Sequence, residues 1–332
     1  MMPKCCLILL STVCLFIFSC KKNGEKPSGP PSDIYNAGYI RANGHVVAAY
    51  WKNGTLVRLG DNTINTMAFA VAVDGNDIYV VGSINKIAQI GIAVIWKNGV
   101  LTQLTDGTSD ADARSISISR HNVYVGGFIN NFQAAYWKNG VVTSLANDAV
   151  TNSIAVEGNN VYAAGLIFDP TISNDEAVYW TNGTAKECIV SSVNDNSRAS
   201  AIAVSGGDVY ITGYANGGKY WKNGIETDLN NGGYCYPSAI AVIGSDVYLA
   251  GDVDSPAPSP VSTATFWKNG TALSLTRSTS LAHANAIALD RSDVYIAGQD
   301  DGNAVYWKNG SEVTLAANGG SNGVTIVQHY WQ

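Results

Sequence analysis

The chain has 332 residues, of which 14% are charged, and its formal net charge at pH 7 is −6. Average globular proteins carry about 25% charged residues, so the surface of this protein is sparsely charged. Nucleic-acid binding requires clustered Lys and Arg, and an acidic chain without such a cluster argues against nucleic-acid partners.

Residues 1–19 form the first predicted element, a signal peptide. Lys4 precedes an apolar run from Cys5 to Phe18, which is too short for a membrane-spanning helix and is typical of a signal-peptide core. The run closes with Ile17-Phe18-Ser19-Cys20, which resembles a bacterial lipobox and implies cleavage before Cys20 and lipid on its thiol. We therefore expect a lipoprotein of the bacterial cell envelope that is anchored in the outer membrane. The sequence does not distinguish the periplasmic side of that membrane from the cell surface. The alternative is an ordinary secretory signal in which Cys20 has no role.

Residues 20–32 are predicted to form a tether. After Cys20 the sequence is rich in Lys, Pro, Gly and Ser and contains no apolar residue up to Ser32. Such a segment cannot bury a core and is typical of a flexible spacer. The folded domain is therefore expected to cover residues 33–332 and to stay near the membrane surface through lipid and spacer.

The folded region repeats a five-residue signature: an aromatic residue or Ile, then Trp, usually Lys, and Asn-Gly. Its tryptophans are Trp51, Trp96, Trp137, Trp180, Trp221, Trp267 and Trp307. They are 45, 41, 43, 41, 46 and 40 residues apart, a period typical of propeller repeats.

Each repeat contains four short apolar segments separated by turn residues, which is a strand pattern. The first segment reads like Ala-Ile-Ala-Val and the second like Asp-Val-Tyr-x-x-Gly; the third carries the Trp, and the fourth follows Asn-Gly. Asn-Gly suits a type I′ hairpin, because both central residues of that turn need a positive φ. Each repeat is thus predicted to be a four-stranded antiparallel propeller blade.

The two ends of the repeat region are out of phase with the blades. The region begins at Asp33 within a second segment and ends after Ile326 within a first segment, which gives seven copies of each segment. We therefore predict an all-β, seven-bladed β-propeller, closed by the C-terminal strand joining the N-terminal blade. The Trp, the second-segment Tyr and a fourth-segment Leu are predicted to pack between blades. Small residues in the first segment are predicted to relieve crowding at the axis.

The loops differ between the two ends of the predicted disc. Connections between segments one and two and between segments three and four are short and uniform, and they define the uniform face. The other connections define the variable face: 12, 13, 9, 14, 7, 15 and 8 residues separate the second-segment Gly from the Trp. Binding sites are usually placed on variable loops of a rigid scaffold.

Seven aromatic or cationic residues near the mouth of the variable face are candidate ligand-binding residues. They are Tyr39, Arg114, Phe128, Arg198, Tyr214, Tyr236 and His283. We expect the two arginines of this set to line one polar pocket with Tyr236 and His283. The alternative is that each residue caps a blade end and faces water.

Neither a catalytic residue nor a cofactor or metal is predicted. The four histidines lack metal-ligand spacing, and no nucleophile elbow or phosphate-binding loop occurs. One alternative is an enzyme that acts on polysaccharide or a small metabolite. It would use carboxylates at the mouth of the variable face, such as Asp112, Asp252 and Asp300. A second alternative is a purely structural scaffold. A disulfide between Cys188 and Cys235 also stays open.

The repeat, Ala-x-Tyr-Trp-Lys-Asn-Gly followed by Leu and Ala-Ile-Ala-Val, resembles the HAF-type extracellular repeat of bacteria. It is also similar to uncharacterised β-propeller lipoproteins of Bacteroidetes. The resemblance covers residues 33–327, although the His-Ala-Phe motif of the HAF repeat is missing. It implies an envelope location and no established activity. We accordingly expect a monomeric, non-catalytic binding module for a protein or glycan ligand.

Overall fold

The computed structural model describes residues 30–85, 90–169, 174–187, 196–229, 234–255, 261–277 and 281–329. These residues form 28 strands in seven four-stranded antiparallel sheets, which confirms the predicted seven-bladed β-propeller. The signal peptide, the tether up to residue 29 and Cys188 lie outside the described residues. Within the described ranges, no helix has the length and apolar character needed to cross a membrane.

The blades are numbered I to VII in chain order, each written here from the innermost strand outward. Blade I contains β28 (Gly319–Val327), β1 (Asp33–Ala42), β2 (His45–Lys52) and β3 (Thr55–Arg58). Blade II contains β4 (Thr66–Asp74), β5 (Asp77–Asn85), β6 (Gly91–Lys97) and β7 (Val100–Gln103). Blade III contains β8 (Asp112–Ser119), β9 (Asn122–Ile129), β10 (Gln133–Lys138) and β11 (Val141–Ala146). Blade IV contains β12 (Ala149–Glu157), β13 (Asn160–Asp169), β14 (Asn174–Thr181) and β15 (Thr184–Glu187).

The last three blades have the same order. Blade V contains β16 (Ser197–Ser205), β17 (Asp208–Ala215), β18 (Gly218–Lys222) and β19 (Ile225–Asp228). Blade VI contains β20 (Tyr234–Ile243), β21 (Asp246–Asp254), β22 (Ser262–Lys268) and β23 (Thr271–Ser274). Blade VII contains β24 (Ala282–Asp290), β25 (Asp293–Asp300), β26 (Asn303–Lys308) and β27 (Ser311–Ala316).

Blade I closes the ring in the predicted manner. Its innermost strand, β28, pairs antiparallel with β1 from Asp33 opposite Val327 to Ile40 opposite Gly319. The hydrogen bonds of this pair cover the edge that β1 would otherwise expose, which is how a closed propeller removes its free strand edges.

The Asn-Gly hairpins of the uniform face are type I′ turns tied to the neighbouring strand. In blade I, φ is +49° at Asn53 and +80° at Gly54, and the Asn-Gly pairs of all seven signatures show positive φ at both residues. The Asn53 side chain accepts a hydrogen bond from the backbone N–H of Ile34 and donates one to Asp33. Lys52 pairs with Asp33 at 3.0 Å. The Asp at the start of the second segment and the Lys and Asn of the signature therefore form one group of hydrogen bonds and an ion pair that joins the two strands.

The signature tryptophans are inter-blade packing residues, as predicted. All seven are at most 1% exposed. Trp96 of blade II packs in one cluster with Tyr35, Tyr50 and Leu59 of blade I. The tryptophans therefore join neighbouring blades and are unavailable to a ligand.

A β-bulge interrupts the innermost strand of every blade at the height of the second-segment glycine. In blade III the register between β8 and β9 shifts from Ala113 to Ser115 and leaves Arg114 as the extra residue. A Cβ on Gly127 would lie 1.9 Å from the carbonyl oxygen of Asp112. The glycine of the second segment is thus required because the bulged backbone approaches it too closely for any side chain.

Candidate functional site

The bulges direct a ring of seven side chains into the central channel. The ring consists of Phe69, Arg114, Asn152, Ser200, Ser238, Asn285 and Asn322. Each is followed by a small residue, namely Ala70, Ser115, Ser153, Ala201, Ala239, Ala286 and Gly323, which agrees with the predicted crowding at the axis. The channel holds a cavity of about 260 Å³, and Arg114 is the charged residue among the described residues that line it.

The asparagines of the ring connect neighbouring blades. Each donates its side-chain amide to a backbone carbonyl of the next innermost strand: Asn152 to Ala199 (3.0 Å), Asn285 to Ser321 (3.1 Å) and Asn322 to Ala68 (2.9 Å). The channel wall is therefore held by side-chain bonds between blades, in addition to the Trp packing further out.

Arg114 is engaged within the protein. Its Nη1 donates to Asn152 Oδ1 at 2.9 Å, its Nη2 lies 3.6 Å from Asp112 Oδ2, and its guanidinium lies 5.0 Å from the centre of the Phe128 ring. Burial raises the pKa of Asp112, and the Arg114 charge offsets only part of this effect. Because its charge and one of its donors are already used, Arg114 is a weak candidate for capturing an anion.

Phe128 is buried, contrary to the expectation that it is open to a ligand. Its side chain is 2% exposed, because Phe132 stacks on it with ring centres 5.3 Å apart and Arg114 covers it as well. Phe132, which is 53% exposed, is the accessible aromatic residue of this blade.

Three of the remaining candidates meet at the boundary between blades V and VI. Arg198 and Tyr214 are opposite each other in the β16–β17 register. The Tyr214 ring stacks on Tyr236 of blade VI, with ring centres 5.3 Å apart and an angle of 16° between the planes. Burial raises the pKa of Tyr236, and neighbouring Tyr214 adds to this effect. Tyr234, two residues earlier, is 59% exposed.

The series continues into blade VII through a carboxylate–imidazole pair. Asp252 lies opposite Tyr236 in the β20–β21 register. Its Oδ2 is 2.7 Å from His283 Nδ1, and its Oδ1 accepts a hydrogen bond from the Ala284 N–H at 2.9 Å. The hydrogen bond to Asp252 raises the pKa of His283, and partial burial opposes this rise.

Tyr39 lies at the end of this series, in blade I. Gln299, which is opposite His283 in register, donates to the Gly319 carbonyl at 3.1 Å. The next residue, Gly320, lies opposite Tyr39, and the Tyr39 ring is 2.7 Å from the point that a Cβ on Gly320 would occupy. We call the set Arg198, Tyr214, Tyr236, Asp252 and His283 the mouth arc.

The structure thus brings five of the seven candidates into one series across blades V to VII and I, and leaves Arg114 and Phe128 apart in blade III. Of the two arginines expected to share one pocket, Arg114 is among the described residues that line the channel cavity and Arg198 is not. The arc residues occupy two repeated positions: the second residue before each bulge, and the residue after the second-segment glycine. Both positions recur in the sequence, but the pairing of Asp252 with His283 joins two blades and cannot be read from the repeat pattern.

A second cavity, of about 330 Å³, opens on the variable face around blade II. Its lining includes Met67, Phe69, Ser83, Asp110 and Asp112. Asp110 is already bonded to the backbone N–H of Gly91 at 2.7 Å. Sequence reasoning missed this cleft, because residues of three blades, most of them on strands, form it together. Within the described part of the chain, no group of three or more His, Cys, Asp or Glu residues is arranged to hold a metal ion.

No protein-family model matches the sequence, and no curated protein matches it. Among solved structures, the chain resembles the β-propeller domain of the Trilobed protease from Pyrococcus furiosus, with a TM-score of 0.50 and 9% identity over 86% of this chain and 98% of that one. It also matches the computationally designed Ika8 protein, with a TM-score of 0.42 and 14% identity over 91% of this chain and 98% of that one. The protease domain is described as having an open velcro topology, whereas β28 and β1 close the ring here. The likeness to the protease domain supports the β-propeller fold alone, and this fold is consistent with a ligand-binding module.

Proposed function

We propose that this protein is a lipid-anchored protein of the bacterial envelope whose propeller binds a glycan or protein ligand at the mouth of the variable face, without catalysis. The observation that carries the proposal is the mouth arc. It combines two stacked tyrosines, an exposed arginine and a carboxylate–imidazole pair on the face whose loops vary between blades.

Exposed apolar side chains on the variable face support a recognition role. Phe132, Phe168, Tyr234 and Leu281 are 53%, 41%, 59% and 60% exposed. Aromatic residues with an apolar body are enriched in recognition surfaces. The uniform face carries the repeated hairpins and Asp–Lys pairs, which the fold itself requires. The exposed apolar residues beside its hairpins, such as Val141 and Ile225, are aliphatic, whereas three of the four on the variable face are aromatic.

The position of β1 supports an orientation for the proposed anchor. β1 begins at Asp33 on the uniform face, and the preceding Ser32 donates to Asp290 of a uniform-face turn at 2.7 Å. A lipid on Cys20 would therefore be connected to the uniform face, which is opposite the mouth arc. At about 3.3–3.6 Å per residue, residues 21–32 span at most roughly 40 Å.

An enzyme acting on polysaccharide is the second candidate, and the Asp252–His283 pair favours it. A carboxylate that orients an imidazole at 2.7 Å is an arrangement that serves general-base catalysis. A centre made of Asp112 and Asp252 has less support, since these two residues belong to blades III and VI. Release of new sugar ends from a polysaccharide by the wild type, and its loss in His283→Gln, would favour this candidate.

The binding proposal is tested by screening the protein on arrays of glycans and envelope proteins. For the ligands found, we expect Tyr214→Ala and Tyr236→Ala to lose binding. Lys138→Ala, an exposed change on the uniform face, is the matched control and should bind like the wild type. Unchanged binding by both tyrosine variants would contradict the proposal.

The proposed anchor is tested separately by mass spectrometry of the protein extracted from membranes. We expect the mature chain to start at Cys20 and to carry diacylglycerol on its thiol. An unmodified Cys20, or a start further along the chain, would contradict it.

A further inference from the structure

We propose that the mouth arc is a subsite for a uronic-acid residue of an acidic glycan, with Arg198 binding the sugar carboxylate and Tyr214 and Tyr236 supporting the sugar ring. This inference rests on the proposed glycan-binding function and narrows it to a ligand class.

Arg198 is the cation of the arc, and its charge is unused within the described structure. It is exposed and forms no ion pair with any described carboxylate, whereas Arg114 lies 3.6 Å from Asp112. A guanidinium presents paired N–H donors in a plane and binds a carboxylate through two parallel hydrogen bonds. An anionic group on the ligand is therefore the natural partner of Arg198.

The tyrosine pair supplies a surface for a ring beside this cation. Tyr214 and Arg198 are cross-strand partners, and such partners have Cβ atoms about 4.5–5.5 Å apart. Both tyrosine rings are half-buried, so each keeps a part open to solvent. A flat apolar ring with a polar hydroxyl tip matches a sugar, which has apolar C–H patches surrounded by hydroxyl groups.

Hydrogen-bonding groups for the sugar hydroxyls lie on the next blade, at His283, and in the channel ring. His283 uses Nδ1 for Asp252, and its Nε2 makes no hydrogen bond to the described residues. Ser200 and Ser238 of the channel ring follow Arg198 and Tyr236 by two positions, and the Ser238 hydroxyl already donates to the Tyr236 carbonyl at 3.4 Å. Two carboxylates lie among the described residues near the arc: Asp252, which is already bound to His283 and to the Ala284 N–H, and Asp254, opposite Tyr234 in register. Arg198 is the arc cation without an ion pair to a described carboxylate, so a sugar with a single carboxylate matches it.

The experiment compares trimers that differ only at the carboxylate: galacturonic acid with galactose, and mannuronic acid with mannose. Binding to the full chain, purified in detergent, is measured by calorimetry at low salt. We expect at least one acidic trimer to bind ten times or more tighter than its neutral counterpart. Arg198→Gln should remove this preference while leaving the affinity for the neutral trimer unchanged. Arg198→Lys should retain only part of it, because Lys lacks the planar pair of donors.

Arg120→Gln is the matched control, because Arg120 lies on the uniform face and bonds Asn159 there; it should keep the wild-type preference. Equal affinities of the wild type for acidic and neutral trimers, an unchanged preference in Arg198→Gln, or no binding of any trimer would overturn the inference. If the trimers fail but the tyrosine variants still abolish binding of another array ligand, the proposed function stands without this subsite. Equal melting temperatures of all variants exclude an effect of misfolding.

Discussion

The Oδ2 atom of Asp252 in blade VI lies 2.7 Å from Nδ1 of His283 in blade VII, so one side-chain pair crosses the boundary between two blades at the mouth. The other oxygen of the same carboxylate accepts the Ala284 N–H. Asp252 thus fixes both the imidazole and the start of β24, and the protonation of His283 is coupled to the docking of blade VII on blade VI.

This coupling predicts a pH-dependent stability. The pKa of His283 is raised in the folded protein by its hydrogen bond to Asp252. The stabilisation by protonated His283 is therefore fully present at pH values below the unfolded-state pKa of about 6.5. It is lost as the pH rises through the folded-state pKa. The melting temperature of the wild type minus that of His283→Gln should fall as the pH rises above about 6.5. Thr143→Ala, which changes an exposed side chain that does not titrate, serves as the control and should give a difference that is constant over this range. A wild-type advantage over His283→Gln that stays constant from pH 5.5 to 9 would contradict the prediction.

Removal of a signature tryptophan should be strongly destabilising. Trp137 is 1% exposed and packs with Val81, Ala93 and Leu104 of the preceding blade. Trp137→Ala is expected to lower the free energy of unfolding by about 3–5 kcal/mol, because it leaves a cavity between two blades. Val141→Ala, at a position in the adjacent β11 that is 70% exposed, should change it by less than about 0.5 kcal/mol. Urea denaturation measures both, and similar midpoints for the two variants would contradict the packing role.

Because of the bulges, we expect that replacing a second-segment glycine by any residue with a side chain destabilises the protein strongly. A Cβ on Gly127 would meet the Asp112 carbonyl oxygen at 1.9 Å, whereas one on the adjacent Gly126 would first meet side-chain atoms of Thr151 and Ile154 at 3.0 and 3.2 Å. Gly127→Ala should therefore cost about 2 kcal/mol or more of stability, and Gly126→Ala clearly less, since side chains move more easily than backbone. Equal losses in the two variants would show that the bulge can relax.

Asn36 offers a stabilising substitution. Its side chain is fully buried in β1, and neither its amide nitrogen nor its amide oxygen has a hydrogen-bond partner among the described residues. The corresponding positions in other blades hold apolar residues such as Val80, Val125 and Ile211. Asn36→Val should raise the free energy of unfolding by about 1–3 kcal/mol, because it removes buried polar atoms without partners. Asn139→Val should do the opposite, because Asn139 makes two hydrogen bonds in its turn. A loss of stability in Asn36→Val would mean that the amide is needed for the native packing.

The blade count and the ring closure could be predicted because both are periodic in the sequence. The signature Trp and the Asn-Gly pair that follows it recur once per blade, and Asp33 and Ile326 reveal the phase of the two ends. The type I′ hairpins also follow from local chemistry, since Asn and Gly tolerate positive φ.

The details of the site could not be predicted because they depend on contacts between blades. Asn152 binds Arg114 across 38 residues of sequence, and His283 binds Asp252 across 31. Phe128 is buried by a loop residue, Phe132, whose position no repeat pattern specifies. The second-segment glycine was visible as a repeat, but its cause is a carbonyl oxygen on another strand.

The pairing of β28 with β1 has a consequence for the biosynthesis of this protein. The innermost strand of blade I follows all other described strands in the chain, so a growing polypeptide can build blades II to VII while blade I still lacks its central strand. Until residues 319–327 are available, the edge of β1 stays exposed and open to pairing with other chains. A chain that is interrupted early therefore keeps an unpaired strand edge, which distinguishes it from the finished ring for proteases and chaperones.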